Sequence, residues 1–419
     1  MHTGLFFIIL GILLMEFMWE RVLDCLNIRA LSQNIPERLR HLHDHAAYAR
    51  SQEYTRVRTR FAAVSSTFFF LIMACALWFE GFAWLDRQVS LVSTNDIICC
   101  LLFFGVISLV SDVAGLPFEV YSTFVIERKF GFNRTSPCTF AADKIKNTLL
   151  CWLLGGLLLG TITWLQGLTG KHFWLYALGV VTLFTCCMSM FYTSIIVPMF
   201  NKLQPLEEDS LRQKITEFVR KADFDLQHIW VIDGSKRSSK GNAFFSGFGR
   251  QKSIVLYDTL LNELTEEQII AVLAHEIGHY RKKHILKHFA ISCCSNALML
   301  YLLSLCIGMP AVSNALGVQT PDFHIGLLGF GLLYSPASTL TGMLCNRFSR
   351  HAEFQADQCA ASWCGSGAQL SEALCKLSAQ SLANLTPHPL YVMANYSHPT
   401  LLQRIEALEK SAGQTGRNY

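Results

Sequence analysis

The sequence predicts a mostly α-helical, polytopic membrane protein carrying a smaller α+β metal-binding domain at the membrane surface. Three observations carry this. Of 419 residues, 51% are hydrophobic and only 16% charged, with a mean hydropathy of +0.31; soluble domains carry about 25% charged residues. Seven segments, 4–19, 61–85, 97–117, 148–166, 172–199, 285–308 and 323–346, are strongly apolar, and roughly 20 such residues cross a bilayer as a helix. Finally, His275-Glu276-Ile277-Gly278-His279 stands just before the sixth segment.

The first segment is short and contains Glu16. No basic stretch precedes it and no small-residue cleavage pattern follows, so it reads as a retained anchor and not a signal peptide. Lys plus Arg number 8 in residues 20–60, 1 in 86–96, 5 in 118–147, 1 in 167–171, 13 in 200–284, none in 309–322 and 6 in 347–419. By the positive-inside rule the basic loops are cytoplasmic. The N-terminus is then outside and the C-terminus inside.

The chain therefore divides into a membrane part, 1–199, with cytoplasmic loops 20–60 and 118–147. A first cytoplasmic segment, 200–284, follows, then two spans in 285–346, then a second segment, 347–419. Each cytoplasmic segment is small, and the two are expected to combine into one domain. The polar end, SAGQTGRNY, reads as disordered.

Several classes are set aside. A net charge of +4 is too weak to suggest nucleic acid. Cys99, Cys100, Cys186, Cys187, Cys293 and Cys294 lie in apolar runs and no C-x-x-C pair occurs, so the cysteines read as small buried hydrophobes, not a disulfide framework. His41, His43 and His45 stand in a charged loop and read as a solvated face. Glu80 reads as an interface residue. Asp112 falls within the third span, where an ionisable group is a functional candidate and could line a polar cavity.

The metal chemistry rests on H-E-x-x-H. On a helix, positions i and i+4 share a face, so His275 and His279 can bind one Zn²⁺ at about 2.0–2.1 Å. Glu276 is rotated by roughly 100° and can act on a water beside the metal without ligating it. Thr265-Glu266-Glu267-Gln268 is a capping-box pattern, and Ile269, Ile270, Leu273 and Ile277 supply an apolar face. A helix over 266–283 is expected, with the histidines in its last turns.

A catalytic site needs a third protein ligand and an open position. His284 and His288 would continue the same helix and lie too far along its axis. Glu353 and Asp357 share a helical face four residues apart. One can ligate while the other supports a ligating histidine from outside; Glu353 is favoured as ligand, and the reverse stays open. IWVIDG (229–234) and SIVLYDTLL (253–261) read as strands, flanking a glycine-rich basic stretch. A strand edge beside the metal helix could pair with an extended peptide. Asn242 could bond a peptide backbone or simply form a turn. His398 and Arg404 could stabilise an oxyanion or cap a helix.

Together these motifs resemble the type I CAAX prenyl endopeptidases, integral-membrane zinc proteases of the gluzincin group. The blocks carrying the resemblance are PFEVYSTFVIERKFGFNRTSP (117–137), GNAFFSGFGRQKSIVLYDTLL (241–261), HEIGHYRKKH (275–284), EFQAD (353–357) and YSHPTLLQRIEAL (396–408). The resemblance implies one Zn²⁺ held by His275, His279 and Glu353, Glu276 as base and acid, and Asp357 as support. It implies substrate contacts from Asn242, Ala243, His398 and Arg404. It also implies seven helices around a water-filled intramembrane chamber, closed by a zincin-like α+β domain.

Expected partners are the bilayer and a peptide or protein substrate with a lipid-modified or hydrophobic C-terminus; a monomer is expected. The connection between the last two spans is only about 15 residues, which suggests a compact bacterial member in the cytoplasmic membrane; a eukaryotic one would sit in the endoplasmic reticulum. Two other functions remain beside C-terminal processing: a quality-control protease for membrane proteins, and a non-catalytic zinc scaffold.

Overall fold

The computed structural model describes residues 3–415, apart from 33, 41–44, 208, 225, 227 and 247–252. The first half is helical: α1 (Gly4–Arg29), α2 (His45–Trp78), α3 (Gly81–Val92), α4 (Asp96–Tyr121), α5 (Pro137–Thr169), α6 (Phe173–Phe191) and the short α7 (Val197–Phe200). Local chemistry starts several of them. Thr3, Asn95 and Ser136 accept backbone N–H groups at the first turns, and Pro137 opens α5, where its missing N–H costs nothing. The chain leaves α4 and α6 through π-helical turns, Ser122–Glu127 and Tyr192–Ile196.

Among the described residues, five stretches are long and apolar enough to cross a membrane: His45–Trp78, Asp96–Glu127, Pro137–Phe200, His284–Cys306 and Phe323–Trp363. The third, 64 residues long, contains α5 and α6, which pack together across the turn Gly170–His172. The seven expected segments are mostly helical, but 61–85 runs from α2 across the break at Glu80 into α3, and 172–199 runs from α6 through a π-helical turn into α7. α1 is not among the five stretches, because Glu16, Glu20 and Arg21 lie within it. Phe7, Leu71, Val113, Leu153, Leu183 and Leu344 are exposed, as suits a lipid-facing surface.

The expected loops 20–60, 86–96 and 118–147 are largely helical. A helix satisfies its own backbone, so a charged sequence can continue it past the apolar stretch. Glu80 sits in a left-handed conformation, φ 54°, before α3. Asp112 accepts from Lys144 at 3.0 Å and from Thr148 at 3.4 Å, which fastens α4 to α5. His45 is exposed at the start of α2; His41 and His43 lie outside the described residues.

The second half contains β1 (Leu203–Pro205), α8 (Ser210–Lys221), β2 (His228–Ile232), β3 (Ala243–Ser246), β4 (Ser253–Tyr257), α9 (Asp258–Glu263), α10 (Glu266–Arg281), α11 (His284–Cys306), α12 (Pro310–Ala315), α13 (Phe323–Trp363), α14 (Ala368–Gln380), α15 (Pro389–Asn395) and α16 (Leu401–Thr415). The sheet order is β1-β2-β4-β3. β2 and β4 run parallel with His228 opposite Ser253, and the outer pairs are antiparallel. β3 therefore forms an edge.

The strand expected over 253–261 stops at Tyr257. Asp258 starts a helix there, its carboxylate accepting from the N–H groups of Thr259 and Ser235. β3 arises inside the glycine-rich stretch and was not foreseen. α16 reaches Thr415, into the tail expected to be disordered.

Leu256, Leu260, Leu273 and Ile277 share one core with Ala360, Ala373 and Leu408. Residues on both sides of α11 thus pack together. Arg237 joins this body to the membrane helices, forking onto Asp143 of α5 at 2.7 and 3.0 Å and donating to Asn201 at 2.8 Å.

Candidate metal centre

The site is built where α10 crosses α13. The capping box forms as its sequence implies: the Thr265 hydroxyl accepts from Gln268 N, and Gln268 Oε1 accepts from Thr265 N. Ile269, Leu273 and Ile277 are buried, which turns His275 and His279 toward α13. Gly278 allows the close approach. A Cβ there would lie 3.1 Å from Ala356 Cα and 3.1 Å from Ala356 O.

Three side chains converge. His275 Nε2 lies 3.1 Å from His279 Nε2 and 3.4 Å from Glu353 Oε2, and His279 Nε2 lies 3.3 Å from Glu353 Oε1. Ligands about 2.05 Å from a tetrahedral ion stand about 3.3 Å apart, so this spacing suits such an ion. Glu353 is 4% exposed; among the described residues its Oε2 makes no hydrogen bond, its neighbours being His275 Nε2 and Arg404 Nη1, each 3.4 Å away. A buried carboxylate oxygen without a donor is costly unless a cation faces it.

Asp357, 1% exposed, stands behind this cluster. Its Oδ1 is 2.8 Å from His275 Nδ1, so the opposite nitrogen, Nε2, is the one turned to the cluster. Arg404 forks onto Asp357 at 2.6 and 2.9 Å. The contacts of Arg404 are structural: two of its nitrogens hold Asp357, and Nη1 lies 3.4 Å from Glu353 Oε2. Of the two arrangements left open for Glu353 and Asp357, the geometry has Glu353 in the cluster and Asp357 outside it.

The helix expected over 266–283 ends at Arg281. Lys283 is left-handed, φ 56°, and His284 opens α11. His284 therefore does not run on along the α10 axis. It folds back, buried, with Nδ1 3.1 Å from His279 Nδ1 and Nε2 2.9 Å from Gln355 Oε1. Sequence reasoning missed this contact. The Arg281-Lys282-Lys283 run is a helix C-terminus signal that could have pointed to the break.

A cavity of about 590 Å³ opens on the cluster, with Glu276, Asn242, Ala243 and His398 in its wall. His398 is 63% exposed, with Nε2 3.4 Å from Glu353 Oε1. Asn242 Oδ1 accepts the neighbouring Ala243 N–H at 2.9 Å, and its carbonyl accepts from Tyr257 N at 3.0 Å. Gly241, Asn242, Ala243 and Phe244 bring the β3 edge into the same cavity.

Burial raises the pKa of Glu276 against the opposing pull of His275 and His279. Burial also pushes the His275 imidazole down, but its bonds to Asp357 and Glu353 outweigh that and lift it to about 9.

Residues 25–202 match the profile of the CAAX prenyl protease N-terminal region, with five membrane helices, and residues 205–412 match peptidase family M48. A CAAX prenyl protease 1 homolog of Oryza sativa is 32% identical, covering 96% of each chain. The chain belongs to the CAAX prenyl proteases of peptidase family M48. A CAAX prenyl protease 1 homolog of Homo sapiens is 30% identical, covering 94% of this chain and 93% of the relative. The crystal structure of S. mikatae Ste24p superposes with a TM-score of 0.93 at 30% identity, over 98% of this chain and 100% of that one. As a member of family M48, the protein is an integral-membrane metallopeptidase. These eukaryotic relatives lend no support to the expected bacterial origin.

Proposed function

We propose that this chain is a zinc endopeptidase that cuts hydrophobic or prenylated peptide C-termini at the cytoplasmic face of the membrane. The observation that carries it is the convergence of His275, His279 and Glu353 on one point at the foot of a cavity walled by Glu276. His275, His279 and Glu353 would hold Zn²⁺, which suits two imidazoles, one carboxylate and an open position. When bound, zinc supplies a Lewis acid for the scissile carbonyl and lowers the pKa of the attacking water.

The chain's own residues do the rest. Glu276 takes the proton of the water and returns it to the leaving amine, and the pKa that burial raises makes it the stronger base for the first transfer. His398 stands at the mouth, within reach of a carbonyl oxygen as charge develops on it. The β3 edge borders the cavity at Ala243, whose N–H is held by the adjacent Asn242 side chain and would pass to an extended peptide that pairs there.

The prenylated substrate is read from the relatives' names. A second cavity, of about 960 Å³, supports an internal chamber; it is lined by Tyr54, Arg58, Phe118, Glu119, Lys240 and Tyr396. Lys240 and Tyr396 are near neighbours in the chain of Gly241 and His398, which line the metal cavity. Seven crossings, with segments 200–284 and 347–419 acting as one cytoplasmic protease unit, complete this reading, and the alternation of basic loops supports the orientation.

The test is bound metal and peptide cleavage for the wild type and Glu276→Gln, using a prenylated CAAX peptide and its unmodified twin. One zinc per chain in both proteins, with turnover falling about 10²–10⁴-fold in Glu276→Gln, is the expected result. A Glu276→Gln variant of undiminished activity overturns the mechanism. Equal cleavage of both peptides overturns prenyl recognition and favours quality control.

A further inference from the structure

We infer that His284 is a positioning residue for the active site, holding the ring of His279 from behind by accepting its Nδ1–H and being itself aimed by Gln355. This rests on the proposed role of His279 as a metal ligand.

The break between α10 and α11 makes the contact possible. On an unbroken helix, residue 284 would stand about 140° around the axis from 279 and about 7.5 Å along it, out of reach of the imidazole. With Lys283 at φ 56°, the chain turns back and His284 is buried at 3% exposure. The left-handed region is costly for a lysine, so packing around it must enforce the turn.

The bonds have one consistent direction. His279 Nε2 faces the cluster, so its Nδ1 carries the proton. His284 Nδ1, 3.1 Å away, then accepts it. His284 Nε2 must in turn carry a proton, and it donates to Gln355 Oε1 at 2.9 Å. Gln355 Nε2 donates to His351 Nε2 at 3.0 Å. Each group fills the role its neighbour leaves open, and the chain ends at exposed His351. The tautomers follow from this network.

Metal-ligating histidines nearly always donate their other ring nitrogen to a fixed acceptor, which sets the ring's orientation and basicity. Here the two histidines have different acceptors. His275 has a carboxylate, Asp357, at 2.8 Å. His279 has a neutral imidazole. The weaker acceptor leaves His279 dependent on exact placement of His284, which Gln355 provides from two residues beyond Glu353 on α13.

The experiment compares zinc affinity, by chelator competition, with kcat and KM on the full-length protein in detergent for wild type, His284→Ala, His284→Asn and Gln355→Leu. Asparagine Oδ1 occupies the branch point of histidine Nδ1 and can accept the same proton. His284→Ala is expected to bind zinc about 10–100-fold more weakly and to lose kcat more than KM. His284→Asn should recover most of that affinity, a rescue that a space-filling role would not give. Zinc affinity of His284→Ala within about twofold of wild type, or no recovery in His284→Asn, overturns the inference. If His284→Ala does not fold, His284→Asn and Gln355→Leu decide: tighter zinc binding by the former supports the inference, and the reverse overturns it. Failure of the wild type itself to bind zinc would instead sink the proposed function.

Discussion

Replacing Gly278 by alanine tests the fit between α10 and α13 directly. The added Cβ would sit 3.1 Å from Ala356 Cα, Ala356 O and Cys359 Cβ, where ordinary contact begins at 3.4 Å. Two of these atoms are backbone and cannot swing aside, so α10 must lift by about 0.3 Å, an overpacking displacement. Gly278 lies between the two histidines, and Ala356 lies between Glu353 and Asp357. The lift therefore widens every distance between the histidines and the carboxylates. Metal sites tolerate about 0.2 Å. Overpacking costs about 1–3 kcal/mol, and the better helix propensity of alanine returns about 1 kcal/mol. The fold should then lose roughly 0–2 kcal/mol, while zinc binding weakens about tenfold, or about 1.4 kcal/mol. The assay is chelator competition beside thermal unfolding of the metal-free protein, with Gly278→Val as the larger step. Zinc affinity within about twofold of wild type in Gly278→Ala would refute the reasoning, because the contact would then be too loose to set the ligand geometry.

Other outcomes follow from the same geometry. Arg404→Ala leaves Asp357 buried without its fork and should cost about 3–5 kcal/mol of stability, measured by denaturant unfolding; a loss below about 1 kcal/mol would mean that water reaches Asp357. His398→Ala, at an exposed position, should retain zinc and fold normally while kcat falls on the order of 10²-fold; an unchanged kcat removes His398 from the chemistry. In the metal-free protein the His275 proton, with its pKa lifted to about 9, must leave before zinc binds. Zinc affinity should therefore rise about tenfold between roughly pH 7 and pH 8 and level off above pH 9, and a flat titration would remove the proton from that site. By the same shift, the metal-free protein should lose stability as pH rises from about 6.5 through about 9, since the folded state holds the proton more tightly than the unfolded one.

Much of the site was readable as spacing within single helices. His275 and His279 at i,i+4, Glu353 and Asp357 at i,i+4, and the Thr265–Gln268 cap are local relations, fixed by helix geometry. What was misread lay where the chain leaves a regular element. The α10–α11 break depends on Lys283 taking a left-handed conformation that nothing in its side chain favours, so His284 was placed one turn too far along a helix that does not continue. β3 was missed because a glycine-rich basic stretch has weak strand propensity by itself; pairing with β4 supplies the backbone bonds that make it a strand. Asp112, an ionisable group in an apolar run, reads equally as a site or a fastener until Lys144 is found 3.0 Å away.

The sequence by itself determined that the chain is a membrane protein and that its chemistry is metal-centred. Composition and apolar length decide the first, and the periodicity of one helix decides the second. Only the tertiary structure decided which carboxylate joins the histidines and which stands behind them. Glu353 and Asp357 share a face of α13, and their roles differ only because α10 crosses at Gly278 with Ala356 between them. That crossing sets Glu353 against both Nε2 atoms and Asp357 against the Nδ1 atom of His275, a distinction that no spacing along one helix contains.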